Sequence, residues 1–345
     1  MDNNILFFGD NLDVLNILKT SYNLSNKIDL IYIDPPFATG NDFLWSDDRV
    51  RTISSSLKKS KVAYSDRFTL EEYILYMEIR IRIMYELLSD NGSFYYHIDD
   101  NKVHYVKIML DKIFGINNFK SDIIRIKCNP KNFKRNNYGN IKDHILFFTK
   151  TNNYIWNNIE EEVEDKELNN RFTKIDSDGR NYTTVPIHAP GETKNGETNS
   201  YFMGQLPPIG RHWRYSPKKL EELYNQGLIE VSKNGNMRLK VYKEDKNYKK
   251  IQDIWTFKDP QNPTYPTQKN NKLLELIIKN SSNENSIVLD AFAGSGVTLF
   301  EAEKLNRKWI GIDKSEISIN NIKKKLDIDL FKSYKFISFK EYSNV

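Results

Sequence analysis

The chain has 345 residues, with 51 Lys and Arg against 46 Asp and Glu and a net charge of +5. It is long enough to bury a full core and to add a second, smaller domain, and too evenly balanced for charge alone to name a partner. A single cysteine, Cys128, excludes an intrachain disulfide framework and a cysteine-only metal site and fits a reducing, cytoplasmic setting.

No stretch approaches the roughly 20 apolar residues of a membrane-spanning helix. The start, Asp2 ahead of Ile5-Leu6-Phe7-Phe8, lacks the basic-then-apolar layout of a signal peptide. Residues 1–150 then read as alternating strands and helices. Ile5 to Phe8 is a strand ending at Gly9-Asp10, and Leu12, Leu15 and Leu18 mark a helix after it. Ile28 to Ile33 is the next strand. Leu70, Tyr73, Ile74, Met77, Ile81, Met84, Tyr85 and Leu88 stand at helical spacing, with a capping box between Thr69 and Glu72. Asn91-Gly92 is expected to stop that helix, with a strand from Ser93 to Ile98, a helix over about 101–113 and a strand from Ile145 to Phe148. From 151 the texture turns polar, opening with the acidic run around Glu160 to Asp165, with Gly and Pro clusters at 189–210 and little periodicity. Order returns at Ile254-Trp255, and 271–325 reads as helix, strand, glycine loop, helix, strand, helix.

Two segments carry the chemistry. Asp34-Pro35-Pro36-Phe37 and Asp290-Ala291-Phe292-Ala293-Gly294-Ser295-Gly296 each follow an apolar run that ends in a carboxylate. Strand, tight loop and helix are how an open α/β sheet builds a crevice at its carboxyl edge. A carboxylate and a carbonyl side by side can accept both hydrogens of an amine and so free its lone pair, and Asp34 with the Pro35 carbonyl offers that pair. Consecutive prolines hold the acceptors rigidly, and Phe37 offers a stacking ring. The bland alternative for the first segment is an ordinary strand-terminating turn. The glycine loop is not a G-x-G-x-x-G fingerprint, because position 299 is Leu, and no G-x-x-x-x-G-K-[ST] loop occurs, so nicotinamide and phosphoryl-transfer chemistry find little support. Trp309 to Asp313 is a second strand ending in an acid about 20 residues on, placed to bond ribose hydroxyls as in nucleoside-binding α/β folds; a surface carboxylate at a strand end is the alternative. His97 beside Asp99 and Asp100 reads as a strand-end histidine packed near the target pocket rather than as a metal ligand.

The two segments in this order resemble the β-class DNA amino-methyltransferases, in which the catalytic motif precedes the cofactor motif. Further similarity, to type III modification subunits and their stand-alone relatives, runs through Thr39 to Phe43, Tyr96 to Asp100, His144 to Phe148, Arg211 to Arg214 and Ile251 to Trp255, and is weakest at 151–200. The resemblance implies a Rossmann-like α/β methyltransferase sheet, circularly permuted, with a catalytic half at 1–150, a target-recognition insert at 151–250 and a cofactor half at 251–345. It implies S-adenosylmethionine as cofactor, held by Asp10, Asp290, Phe292, Gly294, Ser295, Gly296, Asp313 and the segment Thr267-Gln268-Lys269, with Asp10 at the adenine edge and Lys269 and Thr267 at the methionine carboxylate. It implies transfer to adenine N6 with the base flipped out of the stack; a Ser-first motif is more usual for cytosine N4, which stays the alternative, beside RNA adenine methylation and an inactive DNA-recognition subunit. The chain departs from the pattern at Phe37, where Tyr is common, at Tyr265, where His is frequent, and at Asn270, where Pro is frequent.

Expected partners are double-stranded DNA, a second copy of the chain as a homodimer and a restriction subunit, with no membrane. Two basic–aromatic patches suit phosphate contact and base stacking: Lys131, Lys134, Arg135 and Tyr138, and Arg211, Trp213 and Arg214. Each reads equally well as a solvated basic face with its aromatics turned inward.

Overall fold

The computed structural model describes residues 3–36, 42–45, 61–65, 69–130, 134, 136–163, 165–193, 196–246, 248–261, 263, 268–328 and 334–339, with backbone alone at 42–45, 61–65, 246 and 328. The chain divides into two compact units, Met1–Ile159 with Gln252–Val345, and Glu160–Ile251.

The larger unit is a nine-stranded sheet among the described residues. Its strands in chain order are β1 (Asn4–Phe8), β2 (Ile28–Ile33), β3 (Leu88–Ile98), β4 (Phe119–Ile126), β5 (Lys142–Thr149), β6 (Ile254–Trp255), β7 (Ile287–Asp290), β8 (Lys308–Asp313) and β9 (Tyr334–Ser338). Across the sheet they run β6-β4-β5-β3-β2-β7-β8-β1-β9. Every neighbour pairs in parallel except β5, which is antiparallel to both β3 and β4. Strands from the two ends of the chain therefore share one sheet, as expected, and the junction is β2 against β7, with Leu289 opposite Ile31. That junction sets the loops after Asp34 and after Asp290 side by side at one edge.

The helices are α1 (Asn11–Thr20), α2 (Leu70–Leu87), α3 (Val103–Phe114), α4 (Asn271–Ser281), α5 (Val297–Lys304) and α6 (Glu316–Ile328). Ile31, Ile33, Phe94 and Tyr96 of the sheet pack on Val14 and Leu15 of α1, Met77 and Ile81 of α2 and Val106 of α3. The capping box of α2 forms with both bonds, Glu72 N donating to Thr69 Oγ1 at 3.2 Å and Thr69 N to Glu72 Oε2 at 2.9 Å.

Three expectations of local structure are corrected. First, α2 ends at Leu87 and not at Asn91-Gly92: Leu88 is already extended and pairs with Ile28, and a register shift before Leu30↔Ser93 absorbs the polar residues between. Second, β4 and β9 were not legible. The β4 sequence FKSDIIRI mixes Asp122 and Arg125 into the strand, and their pairing partners come from elsewhere in the chain. Third, residues 151–159 belong to the larger unit: Ile155 N donates to Asn91 O at 3.0 Å and Asn157 N to Asn280 O at 2.7 Å.

The smaller unit has a four-stranded antiparallel sheet ordered Ile229–Val231, Met237–Tyr242, Asn181–Pro186, Lys174–Ile175. Its own core gathers Ile187, Phe202, Trp213, Leu220, Ile229 and Met237. The chain enters it through Glu160–Glu162 and leaves through Tyr248–Lys250, two strands paired antiparallel with Glu161 opposite Lys249 and Glu160 opposite Lys250. Opposite charges across a strand pair favour that closure, which is why so acidic a run still forms a strand.

Candidate active site

A cavity opens in the larger unit at the edge where β2, β7 and β8 end. Asp34, Pro36, Lys269, Asp290, Phe292, Gly294, Ser295 and Asp313 all line it, together with Tyr32, Gly9 and Asn11. Residues as far apart in the chain as Gly9 and Asp313, 304 positions, thus meet because parallel strands point the same ends the same way.

Asp34 follows β2 directly. Its Oδ2 is 2.7 Å from Lys269 Nζ, and Lys269 is buried. Its Oδ1 is buried too and has no hydrogen-bond partner among the described residues. Buried polar atoms are nearly always paired, so an unpaired carboxylate oxygen on a cavity wall calls for an explanation. Pro35 is buried behind it and Pro36 lines the cavity. Phe37, expected to stack on the base, lies outside the described residues, as does Thr267. Gln268 is half-buried and does not line the cavity. The departure at Asn270 has a local cause: its side chain caps α4, accepting from Lys272 N at 3.0 Å.

The glycine loop is organised from below by two acids. Asp290 Oδ1 accepts from Phe292 N at 3.0 Å. Burial raises its carboxyl to about 7, against the lowering effect of hydrogen bonds from the Thr298 side chain and Phe292 N. Asp313 Oδ2 accepts from Gly294 N at 2.7 Å and its Oδ1 from Ser315 N at 2.8 Å. Burial raises this carboxyl as well. Expected as a ribose ligand, Asp313 is first a clasp between the two loops, and the Ser318 side chain hydrogen-bonds its carboxyl as well.

Gly294 and Gly296 have φ of +50° and +78°, the left-handed region that favours glycine. The reason differs from the one expected for Gly296. A Cβ there would stand 2.7 Å from Ile322 Cγ1 of α6, so its missing side chain makes room for the protein itself and not for a ligand. Gly294 and Ser295 line the cavity; Gly296 does not.

Asp10, expected at the adenine edge, is not among the residues that line the cavity. It caps α1, accepting from Leu12 N at 2.8 Å, and pairs with Arg80 at 2.9 Å. Its neighbours Gly9 and Asn11 line the cavity in its place. Arg80 also donates to Asn11 Oδ1 at 2.6 Å, so α2 braces the loop after β1.

Of the two basic–aromatic patches, Lys131 and Arg135 lie outside the described residues, while Lys134 and Tyr138 are exposed in the larger unit. In the smaller unit Arg214 is exposed, and Arg211 is half-buried beside His188 Nδ1 at 3.1 Å. Trp213, expected to contact DNA, is 2% exposed, packs on Phe202 and donates Nε1–H to Ser200 O at 2.8 Å. Its aromatic bulk holds the unit together.

Sequence reasoning missed the polar chain under the cavity. Tyr32 Oη is 2.8 Å from His97 Nδ1, and His97 Nε2 is 3.3 Å from Asp143 Oδ2. Asp143 also meets Arg125 at 3.2 Å and Lys127 at 2.7 Å. The one available signal was His97 itself, read as packing near the pocket; Asp143 and Arg125 give none, since only strand pairing brings them there.

Among the described residues no helix is long and apolar enough to cross a membrane. A family model described as DNA methylase matches residues 28–324. The type II methyltransferase M.EcaI of Enterobacter cloacae is 39% identical over 331 residues, 94% of this chain and 70% of that one. The EcoPI Mod subunit of a type III restriction-modification enzyme from Escherichia phage P1 is 26% identical over 388 residues, 93% of this chain and 58% of its own length. The type II methyltransferase M.KpnI of Klebsiella pneumoniae is 26% identical over 343 residues, 87% of this chain and 76% of that one. With the family match running from β2 through the glycine loop and beyond, the chain belongs to the DNA methylase family.

Proposed function

We propose that this protein transfers a methyl group from S-adenosylmethionine to N6 of adenine at a specific site in double-stranded DNA. The observation that carries the reading is Asp34: one carboxylate oxygen held by Lys269, the other buried on the cavity wall with no donor among the described residues. An acceptor left open in that way suits an incoming N–H.

The residues present fit the cofactor. Besides Asp34 the cavity has two carboxylates, Asp290 and Asp313, for a ligand that carries a sulfonium, an ammonium and hydroxyls, and Lys269 for its carboxylate. Asp290, buried and raised to about 7, gains most from a cation nearby. When bound, S-adenosylmethionine supplies an electrophilic methyl group. The protein's own part is electrostatic. Asp34 Oδ1 accepts one amine hydrogen, the Pro35 carbonyl the other, and nitrogen density is freed to attack as positive charge develops there. The proton lost by the methylated nitrogen passes to the Asp34 side.

The target amine lies inside the base stack, so the base is flipped into the pocket. Adenine rests on the Asp-first motif, Asp34-Pro35-Pro36-Phe37, since the acceptor pair serves either exocyclic amine. The Glu160–Ile251 unit is assigned to target recognition, with Arg211 and Arg214 as DNA contacts. Homodimerisation and service beside a restriction subunit complete the proposal; the type III Mod relatives support the second.

The test is transfer of labelled methyl to unmethylated genomic DNA, followed by nucleoside mass spectrometry. N6-methyladenine supports the reading, and N4-methylcytosine overturns the base assignment. Label on RNA alone, or on neither nucleic acid, overturns DNA as the substrate.

A further inference from the structure

Tyr32 and Asp34 both line the cavity, Tyr32 on β2 and Asp34 directly past its end. The negative charge of Asp34 acts on both the Tyr32 hydroxyl and His97. A phenol hydroxyl near a carboxylate ordinarily donates to it. Yet Asp34 Oδ1 has no donor among the described residues. The Tyr32 hydroxyl bonds instead to His97 Nδ1 at 2.8 Å.

The direction of that bond follows from what lies behind it. His97 is buried, and burial followed by the charge of Lys269 lowers its pKa, so the ring is neutral. A neutral imidazole has one N–H and one bare nitrogen. Burial alone would raise the Asp143 carboxyl. The hydrogen bond from His97 leads the effects that hold it well below the usual carboxylate range, and Arg125 at 3.2 Å and Lys127 at 2.7 Å pair with it. An ionised carboxylate only accepts, so Nε2 carries the proton and donates to Asp143. Nδ1 is then bare, and Tyr32 must be the donor.

We propose that His97 is a positioning residue: backed by Asp143, it captures the Tyr32 hydroxyl hydrogen and thereby keeps Asp34 Oδ1 open for the substrate amine. The inference rests on Asp34 as the amine acceptor and adds the device that keeps it open. Without a bare nitrogen at position 97, the Tyr32 hydroxyl turns to the carboxylate whose charge acts on it most strongly, Asp34, and blocks it.

The test is epistasis. His97→Leu lowers kcat by about 10- to 100-fold, the worth of displacing a hydrogen bond to a charged acceptor. Adding Tyr32→Phe recovers most of that loss, since no hydroxyl is left to block Asp34. Tyr32→Phe alone stays within about threefold of wild type, well under the worth of such a bond. His97→Asn, whose side-chain oxygen falls near the Nδ1 position, retains activity and keeps the test open if His97→Leu folds poorly. A structural role for His97 would leave the double variant as impaired as His97→Leu, or more so; that result overturns the proposal. A readout independent of turnover is the nitrogen NMR spectrum of the imidazoles, the His97 signals assigned by their loss in His97→Asn. A bare Nδ1 and a protonated Nε2 are expected in the ligand-free protein, and the opposite tautomer overturns the inference. A wild-type protein that methylates no DNA overturns the functional reading and this device with it. An active wild type without recovery in the double variant overturns the device alone.

Discussion

Asp34 and Asp290 end neighbouring parallel strands, precede tight loops and line one cavity, yet they are held in opposite ways. Asp34 has a cation, Lys269, at 2.7 Å. Asp290 is 2% exposed, takes only hydrogen bonds, and burial lifts its carboxyl to about 7. Identical side chains at equivalent strand ends thus acquire different chemistry from their surroundings: one is paired with a cation, the other is buried among hydrogen bonds with its carboxyl raised.

The largest effect is expected at Asp34. Asp34→Ala should lower methyl transfer by about 10³-fold, the upper range for losing one preorganised contact to developing charge, while cofactor affinity measured by calorimetry stays within a few-fold. Equal loss of both would mean that the two carboxylates are not divided between substrate and cofactor as described. Lys269→Met comes next. Breaking a buried pair by removing one partner costs about 3–5 kcal/mol, and part of that should appear as a loss of about 10²-fold in single-turnover rate. A rate unchanged at saturating cofactor would assign Lys269 to the cofactor carboxylate alone.

Asp290→Asn sharpens the other side. A folded-state pKa above the unfolded value means that the native state binds more protons, so this group's contribution to stability falls as pH rises from about 4 to about 7. A cationic ligand reverses the preference, so cofactor affinity should climb about tenfold between pH 6 and pH 8, the equivalent of one pKa unit. In Asp290→Asn that climb should flatten and the ligand-free protein should melt higher at pH 8. A persisting climb would move the titrating group elsewhere, Asp313 first. The smallest effect is expected away from both acids: Thr69→Ala removes the α2 cap at about 1 kcal/mol, seen in denaturant melts, with transfer unchanged.

Much of this was legible in the residues. The strands ending at Asp34, Asp290 and Asp313 and the capped α2 follow from period and punctuation, which are local. The loop motifs carried the family for the same reason, because the backbone of a tight turn admits few residues. The limits fall where partners are distant. Asp10 closes the first apolar strand, and nothing near it in the chain announces that Arg80, 70 positions away, ties it to α2. Trp213 between arginines looked like a stacking surface, and its burial against Phe202 is a property of the folded smaller unit.

The sequence alone therefore determined which segments form strands, loops and capped helices, and that two acid-ended loops belong to one kind of chemistry, because those depend on neighbours within a few residues. Tertiary structure decided how each acid is used. Lys269 reaches Asp34 across 235 positions, and His97 meets Tyr32 and Asp143 only because β3 pairs with β2 and β5. Charge and burial act through space and scale with distance between atoms, and that distance is set only when the sheet closes.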